Sequence, residues 1–338
     1  MKKFFPFLLI FFIFLPGCTP SSRQAAESSS IYLTAMDTVM QLTAYGPHRQ
    51  EALENAQAEI NALDSLLSVG NPSSEISRLN ATGSIELSTE IALLFSQALS
   101  LSQDTEGLFD PTVYPLVKLW GFYDQNYHVP TQQELSQVLA QVDYRRVAFD
   151  ADSGTVTLGL GQSIDLGGIG KGFTSQRVTE LMKASGVTSA MLSLGGNIQC
   201  LGSKPDGSAW KIGIRDPWSQ SGDLYCAVQV RDKAVITSGG YERYFVSDGK
   251  TYLHILDPRT GFPAQSGLSS VSIVTSNGTL GDGLSTALYI MGLEKACDYW
   301  RAHADAFDAI FIADDGSLYA TSGLKGSITS QVTIQYIE

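Results

Sequence analysis

Basic residues, cysteines and histidines are all scarce in this chain, and each shortage closes off a class of function. Lys and Arg number 22 against 34 Asp and Glu, a formal net charge of −12 at pH 7. Nucleic acid and anionic lipid headgroups need dense positive charge, so both are disfavoured as partners. A small anionic cofactor stays open, provided a metal or a helix terminus supplies positive charge locally. Cys18, Cys200, Cys226 and Cys297 form no CxxC pair, which argues against thiol-ligated zinc and thioredoxin-type chemistry. Beyond Cys18, one disulfide and buried free thiols both remain open. The usual phosphate loops are missing too. In IDLGGIGKGFTSQRV (164–178), Asp165 and Gly172 stand where a Walker A loop needs Gly and Ser or Thr, and no GxGxxG occurs.

The first residues, MKKFFPFLLIFFIFLPGC, join two lysines, an apolar run too short for a stable span, and a lipobox-like ending. They predict a lipoprotein signal peptide over 1–17 and lipidation at Cys18. A polar tether would follow to residue 30, and one catalytic domain would fill 31–338. Losing residues 1–17 removes Lys2 and Lys3 and no acid, which moves the formal charge from −12 to −14. The expected location is extracytoplasmic, held to the membrane by the lipid; a retained anchor helix would give the same side.

Apolar periodicity predicts a strand over 34–44, helices over 48–67, 89–101, 171–184, 280–290 and 293–303, and a hairpin over 147–158 turning at Asp152-Ser-Gly154. Thr131 to Glu134 reads as a capping box. Strands are expected at 189–194, 210–214, 225–230, 234–237, 251–256 and 270–274. Helices early and strands late imply an α+β fold, a single domain of two packed lobes whose mixed or antiparallel sheets are flanked by helices.

Four stretches carry candidate chemistry. His254 ends a strand in HILDPRTGFPA, where a catalytic histidine needs a suitable pKa and reach to a substrate hydroxyl; a structural strand histidine is the plainer reading. His48, His128 and His303 fall in a turn, a loop and a helix end. Asp282 and Thr286 lie four apart in GDGLSTALYIMG, so two hard oxygens share one helical face and suit Mg²⁺. The alternative there is a helix cap, with Thr286 bonding back to Asp282. GLFDPTVYPLVKLWGF (107–122) is non-periodic and aromatic, a shaped loop that could floor a planar ring or simply pack in the core. NPSSEISRLN (71–80) looks like a polar helix start.

Together and in order, the segments AMDTVM (35–40), SSEISRLN (73–80), GLFDPTVYPLVKLWGF, IDLGGIGKGF (164–173), LSLGGNIQCLG (192–202), WKIGIRDP (210–217), AVITSGGYERYF (234–245), HILDPRTGFPA (254–264) and GDGLSTALYIMG (281–292) resemble the FAD:protein FMN transferases, the ApbE family of flavin-attaching lipoproteins. The resemblance implies that the glycine-rich loop cradles the FAD pyrophosphate beside Mg²⁺. The metal would be held by the Gly170 carbonyl, Asp282 and Thr286. Flavin contacts would fall to Met36, Leu108, Phe109, Asp110, Asp165 and Lys171, and His254 would be the base. The implied reaction moves FMN from FAD to a Ser or Thr hydroxyl of an acceptor flavoprotein, such as a membrane-linked electron-transfer subunit, releasing AMP. A Mg²⁺-dependent FAD pyrophosphatase and a non-catalytic flavin-binding lipoprotein are the alternatives. The chain departs from the family's commonest forms at Asp37, Gly170 and Gly240. It also has Gly70 where an aromatic frequently stands.

Overall fold

The computed structural model describes residues 27–338, so the signal-like segment, Cys18 and most of the tether lie outside the described residues. Ser28, Ser29 and Ser30, counted with the tether above, belong to a strand. Ser28–Ala35 is a strand, registered from Ser28 opposite Tyr45, and the Ser30 hydroxyl lies 2.8 Å from that of Thr43. Three serines read as solvated spacer; backbone pairing with a half-buried neighbour strand overrides that composition.

A nine-stranded sheet runs through the described residues, ordered Ser28–Ala35, Thr38–Tyr45, Ser189–Leu194, Asn197–Gly202, Ala234–Gly239, Leu268–Thr275, Asp308–Ala313, Leu318–Thr321, Ile334–Ile337. Every neighbouring pair is antiparallel except the last. The sheet thus joins the first strand of the described residues to the last, and the α+β expectation holds. Eight α-helices accompany it among the described residues: α1 (Arg49–Leu67), α2 (Glu75–Thr82), α3 (Thr89–Asp104), α4 (Tyr114–Leu119), α5 (Gln132–Leu139), α6 (Gly167–Ala184), α7 (Gly278–Met291) and α8 (Leu293–Ala302).

Alternation along the strands sorts side chains onto two faces. Leu42 and Leu192 pack with Ile60 of α1 and Met182 of α6, while Val271 and Ile273 pack with α3 and α7. On the opposite face, Val235, Val274 and Ile310 meet a second sheet formed by Ile328–Ser330, Leu224–Val230 and Trp210–Arg215. A separate aromatic cluster around Trp120 and Phe245 joins the segment of α4 and α5 to the hairpin Tyr244–Ser247/Lys250–Leu253. Cys200, Cys226 and Cys297 are all buried free thiols.

Local expectations fare unevenly. The capping box of α5 is present in both directions, and Ser74 caps α2 by accepting from the Ser77 amide at 2.9 Å. The single strand expected over 34–44 is instead a hairpin that turns at Met36 and Asp37, both left-handed at φ 49° and 56°. Neither residue advertises that conformation as Asn-Gly would. The shaped loop at 107–122 contains α4 and a 3₁₀ turn at Pro111–Val113, nucleated when Asp110 accepts from the Thr112 amide. The glycine-rich stretch is the largest revision. Helix α6 begins at Gly167, not Lys171, because packing against α7 overrides the low helix propensity of glycine.

That packing is unusually close. A Cβ on Gly172 would sit 2.2 Å from the Gly278 carbonyl oxygen and 2.5 Å from Asp282 Cβ, whereas one on Gly170 meets only Leu67 at 3.5 Å. Two glycines two residues apart in one helix should therefore respond oppositely. Gly170→Ala is expected to hold or raise stability by up to ~1 kcal/mol. Gly172→Ala collides with main chain and should cost about 3 kcal/mol. Urea denaturation of the two variants checks this; equal midpoints would rule out a backbone contact at Gly172.

Candidate active site

The crossing of α6 and α7 brings together two segments 110 residues apart. The Gly172 amide donates to Asp282 Oδ2 at 2.7 Å, buried from solvent. Asp282 does not cap its helix. Asn277 does so, accepting from the Leu280 amide at 2.9 Å, and Ser285 rather than Thr286 bonds back to the Asp282 carbonyl at 2.7 Å. The cap alternative for Asp282 and Thr286 is thereby excluded. Burial pushes the Asp282 carboxyl above the usual carboxylate range, opposed by the charge of Lys171, the Asn197 side chain and the amides of Gly172 and Lys171. A buried carboxylate of this kind calls for a cation.

Thr286 lies one turn further along α7, half-buried, with its hydroxyl 3.2 Å from Ser238 Oγ. The Gly170 carbonyl lies inside α6 and already accepts from the Thr174 hydroxyl at 2.8 Å. Among the described residues no group of three or more His, Cys, Asp or Glu could hold a metal. What is on offer is one carboxylate, one hydroxyl and main-chain oxygen. This hard, all-oxygen set fits an ion that completes its shell with phosphate oxygens and water, as Mg²⁺ does.

The first turn of α6 faces the same region. Asp165 accepts from the Gly167 amide at 2.8 Å, and its own amide donates to the Pro111 carbonyl at 2.9 Å, which ties the glycine stretch to the 107–122 segment. Desolvation raises the Asp165 carboxyl, and the Gly167 amide, Lys171 and Arg243 oppose it. Phe109 is wedged between the helices, 3.3 Å from where a Gly168 Cβ would be and 3.5 Å from that of Gly283. Leu108 is buried beside it. Asp110 is buried with its carboxylate fully engaged, accepting from the Thr112 amide (2.8 Å) and hydroxyl (2.6 Å) and from the Tyr144 amide (3.0 Å). It shapes the loop. Met36 sits at the hairpin turn, its amide donating to Asp64 Oδ1 at 3.0 Å and its sulfur 3.7 Å from the Thr174 hydroxyl over the start of α6.

His254 directly follows the strand Lys250–Leu253, and Arg243 directly precedes the strand Tyr244–Ser247 that pairs with it. Extending that ladder by one step, the His254 amide donates to the Arg243 carbonyl at 3.1 Å. The ring Nδ1 lies 3.0 Å from the same oxygen. A carbonyl only accepts, so Nδ1 carries the hydrogen and Nε2 keeps a free lone pair. Phe122 packs edge-on against the ring at 6.4 Å. Desolvation and then the Arg243 charge, with a smaller push from Lys171, lower the His254 pKa to about 4, against the pull of the Arg243 carbonyl. At neutral pH the imidazole is uncharged.

Lys171 is thus in electrostatic reach of Asp165, Asp282 and His254 alike. An acidic protein places Lys171 and Arg243 together here. Sequence reasoning assigned no role to Arg243, Asn197, Ser238 or Asp64. The first three lie in segments singled out above, GGYERYF, GGNIQ and AVITSGG, yet spacing alone could not tell a ring-holding carbonyl or a carboxylate neighbour from packing.

Known proteins resemble this chain in both sequence and fold. The ApbE family model matches residues 36–311. A Treponema pallidum protein named FAD:protein FMN transferase is 36% identical over 290 residues, covering 81% of this chain and 80% of its own. A Klebsiella pneumoniae protein of the same name is 33% identical, covering 78% and 82%. Among solved structures, the ApbE protein of Thermotoga maritima superposes with a TM-score of 0.83 at 29% identity, covering 88% of this chain and 98% of that one. The Pseudomonas stutzeri flavinyl transferase ApbE, in its apo form, gives 0.79 at 27%, covering 89% and 98%. With the family model spanning most of the described residues and the α6–α7 crossing in place, the chain belongs to the ApbE family.

Proposed function

We propose that this enzyme, a flavin transferase by family, moves FMN from FAD to a Ser or Thr hydroxyl of an acceptor protein and releases AMP. The observation that carries the reading is the hydrogen bond between Gly172 and Asp282, which holds the carboxylate of α7 against α6 within electrostatic reach of Lys171. The partial positive charge at the start of α6 attracts a pyrophosphate, and Lys171 adds a full charge. Asp282, Thr286 and the Gly170 carbonyl would hold Mg²⁺, whose bound charge offsets that of the phosphates. Met36, Asp165 and the Leu108–Asp110 loop would border the flavin half of FAD.

His254 Nε2 takes the proton of the acceptor hydroxyl. The hydroxyl oxygen forms a new bond to the FMN-side phosphorus. The bond from that phosphorus to the bridging oxygen breaks, and AMP departs with that oxygen. The Arg243 carbonyl holds the imidazole in the one tautomer that can act as base. A lipid at Cys18 would anchor the enzyme outside the cytoplasm, a reading supported by the composition of residues 1–18. Among the described residues, no helix is long and apolar enough to cross a membrane.

His254→Ala should leave FAD binding intact while transfer, followed as covalent FMN on an acceptor by mass analysis, falls on the order of 10²–10⁴-fold. Unchanged transfer would remove His254 as base, and free FMN with no modified acceptor would make water the nucleophile. Asp282→Asn should raise the Mg²⁺ concentration needed for half-maximal activity by at least about tenfold. A superimposable metal titration would exclude Asp282 as a ligand. The pH profile gives a third check. The acid limb of kcat/KM reports the free enzyme, in which His254 is held below 6.5 at about 4. Bound pyrophosphate counters the same two cations, so the acid limb of kcat should lie at higher pH than that of kcat/KM. The reverse order would contradict the assignment.

A further inference from the structure

Tyr123 has no part in the chemistry above, yet it is an exposed aromatic ring beside this site. It follows Phe122, the residue whose ring packs edge-on against His254. The turn that presents it is fixed: the Phe122 amide donates to the Val117 carbonyl at 3.1 Å, and the His128 amide to the Trp120 carbonyl at 3.2 Å. Gly121 adopts φ 75°, and a Cβ there would lie 2.0 Å from the Asn126 carbonyl oxygen, so the turn tolerates no other residue.

Tyr123 stands perpendicular to Tyr114, ring centroids 5.8 Å apart at 88°. Tyr114 is buried, with Lys118 Nζ 4.6 Å over its ring, and its phenol is pushed up by burial, by Tyr123 and by the charge of Asp165. Tyr114 therefore links Tyr123 to the Asp165 side of the α6 N-terminus. Only Tyr123 of the pair offers ring surface, being 45% exposed. On its other flank the Tyr123 hydroxyl lies 3.2 Å from where a Cβ on Gly70 would be, just beyond α1, and Leu67 of that helix touches the Gly170 position. The missing side chain at residue 70 is what leaves Tyr123 its room. Exposed tyrosine rings held by a fixed turn at a site for a planar heteroaromatic substrate act as stacking platforms.

We infer that Tyr123 stacks on the isoalloxazine ring and sets the enzyme's preference for flavin over other nucleotides. This inference rests on the FAD reading above. The flavin half is chosen over adenine because Tyr123 adjoins the residue that packs on His254, and His254 acts at the FMN-side phosphorus.

The test titrates FMN, FAD and, separately, AMP into the wild-type chain and into Tyr123→Ala and Tyr123→Phe, following flavin fluorescence and the visible absorption band. Tyr123→Ala should weaken FMN about tenfold, relieve quenching of the flavin and leave AMP unaffected. Tyr123→Phe keeps the ring and should restore affinity and quenching, which a loss of folding would not allow. Unchanged FMN affinity and fluorescence in Tyr123→Ala would overturn the inference while leaving the transferase reading intact, as would a loss confined to AMP. A wild-type chain that binds neither FMN nor FAD would instead sink the flavin reading itself, and this inference with it.

Discussion

One short hydrogen bond, from the Gly172 amide to the Asp282 carboxylate, organises the site, and it exists only because two glycines let two helices touch. Ordinary helix pairs stand 8–10 Å apart, roughly the thickness of their side chains. At Gly172 and Gly278 there is nothing to keep the backbones apart, so a carboxylate on α7 reaches an amide in α6. The cost is the poor helix propensity of glycine, and the two helices repay it by burying almost all of α7. Stability and chemistry share the same few atoms here, since the contact that closes the core also buries the charge a cation would neutralise.

Electrostatics then divides the labour. The protein is strongly acidic, yet Lys171 and Arg243 both act on Asp165 and His254, so the field at the mouth of the site runs against that of the surface. Burial raises Asp165 and Asp282; Lys171 opposes it at both and Arg243 at Asp165, while the histidine is lowered by burial and by both cations. A region of this kind is poised for a ligand carrying two or more negative charges, because such a ligand relieves the cation crowding around the imidazole while satisfying the helix start.

Much of this was legible in the letters, for physical reasons that differ from place to place. Capping chemistry is local, so Thr131-Gln-Gln-Glu134 and Ser74 announced their helix starts correctly. Long amphipathic patterns likewise placed α1, α3 and α7. The start of α6 was misread because glycine propensity is a local quantity, whereas the glycines there pack on distant segments, Gly168 on Phe109, Gly170 on Leu67 and Gly172 on α7. The Met36–Asp37 turn was missed for a related reason: its left-handed backbone is imposed by the strands on either side and by Asp64 reaching across from α1. Family motifs led to Asp282, Thr286 and His254. They could not show that Asp110 spends its carboxylate on its own loop, or that Arg243 matters through its carbonyl.

That carbonyl has a further implication. The atom that fixes the imidazole tautomer belongs to the main chain, so it persists whatever side chain residue 243 carries, and no alanine scan can delete it. Homologous chains could change this side chain, and with it the charge beside the ring, and still keep the same tautomer, provided the hairpin closes. The proton's address is written in the ladder between two short strands, and it is inherited as geometry rather than as a letter.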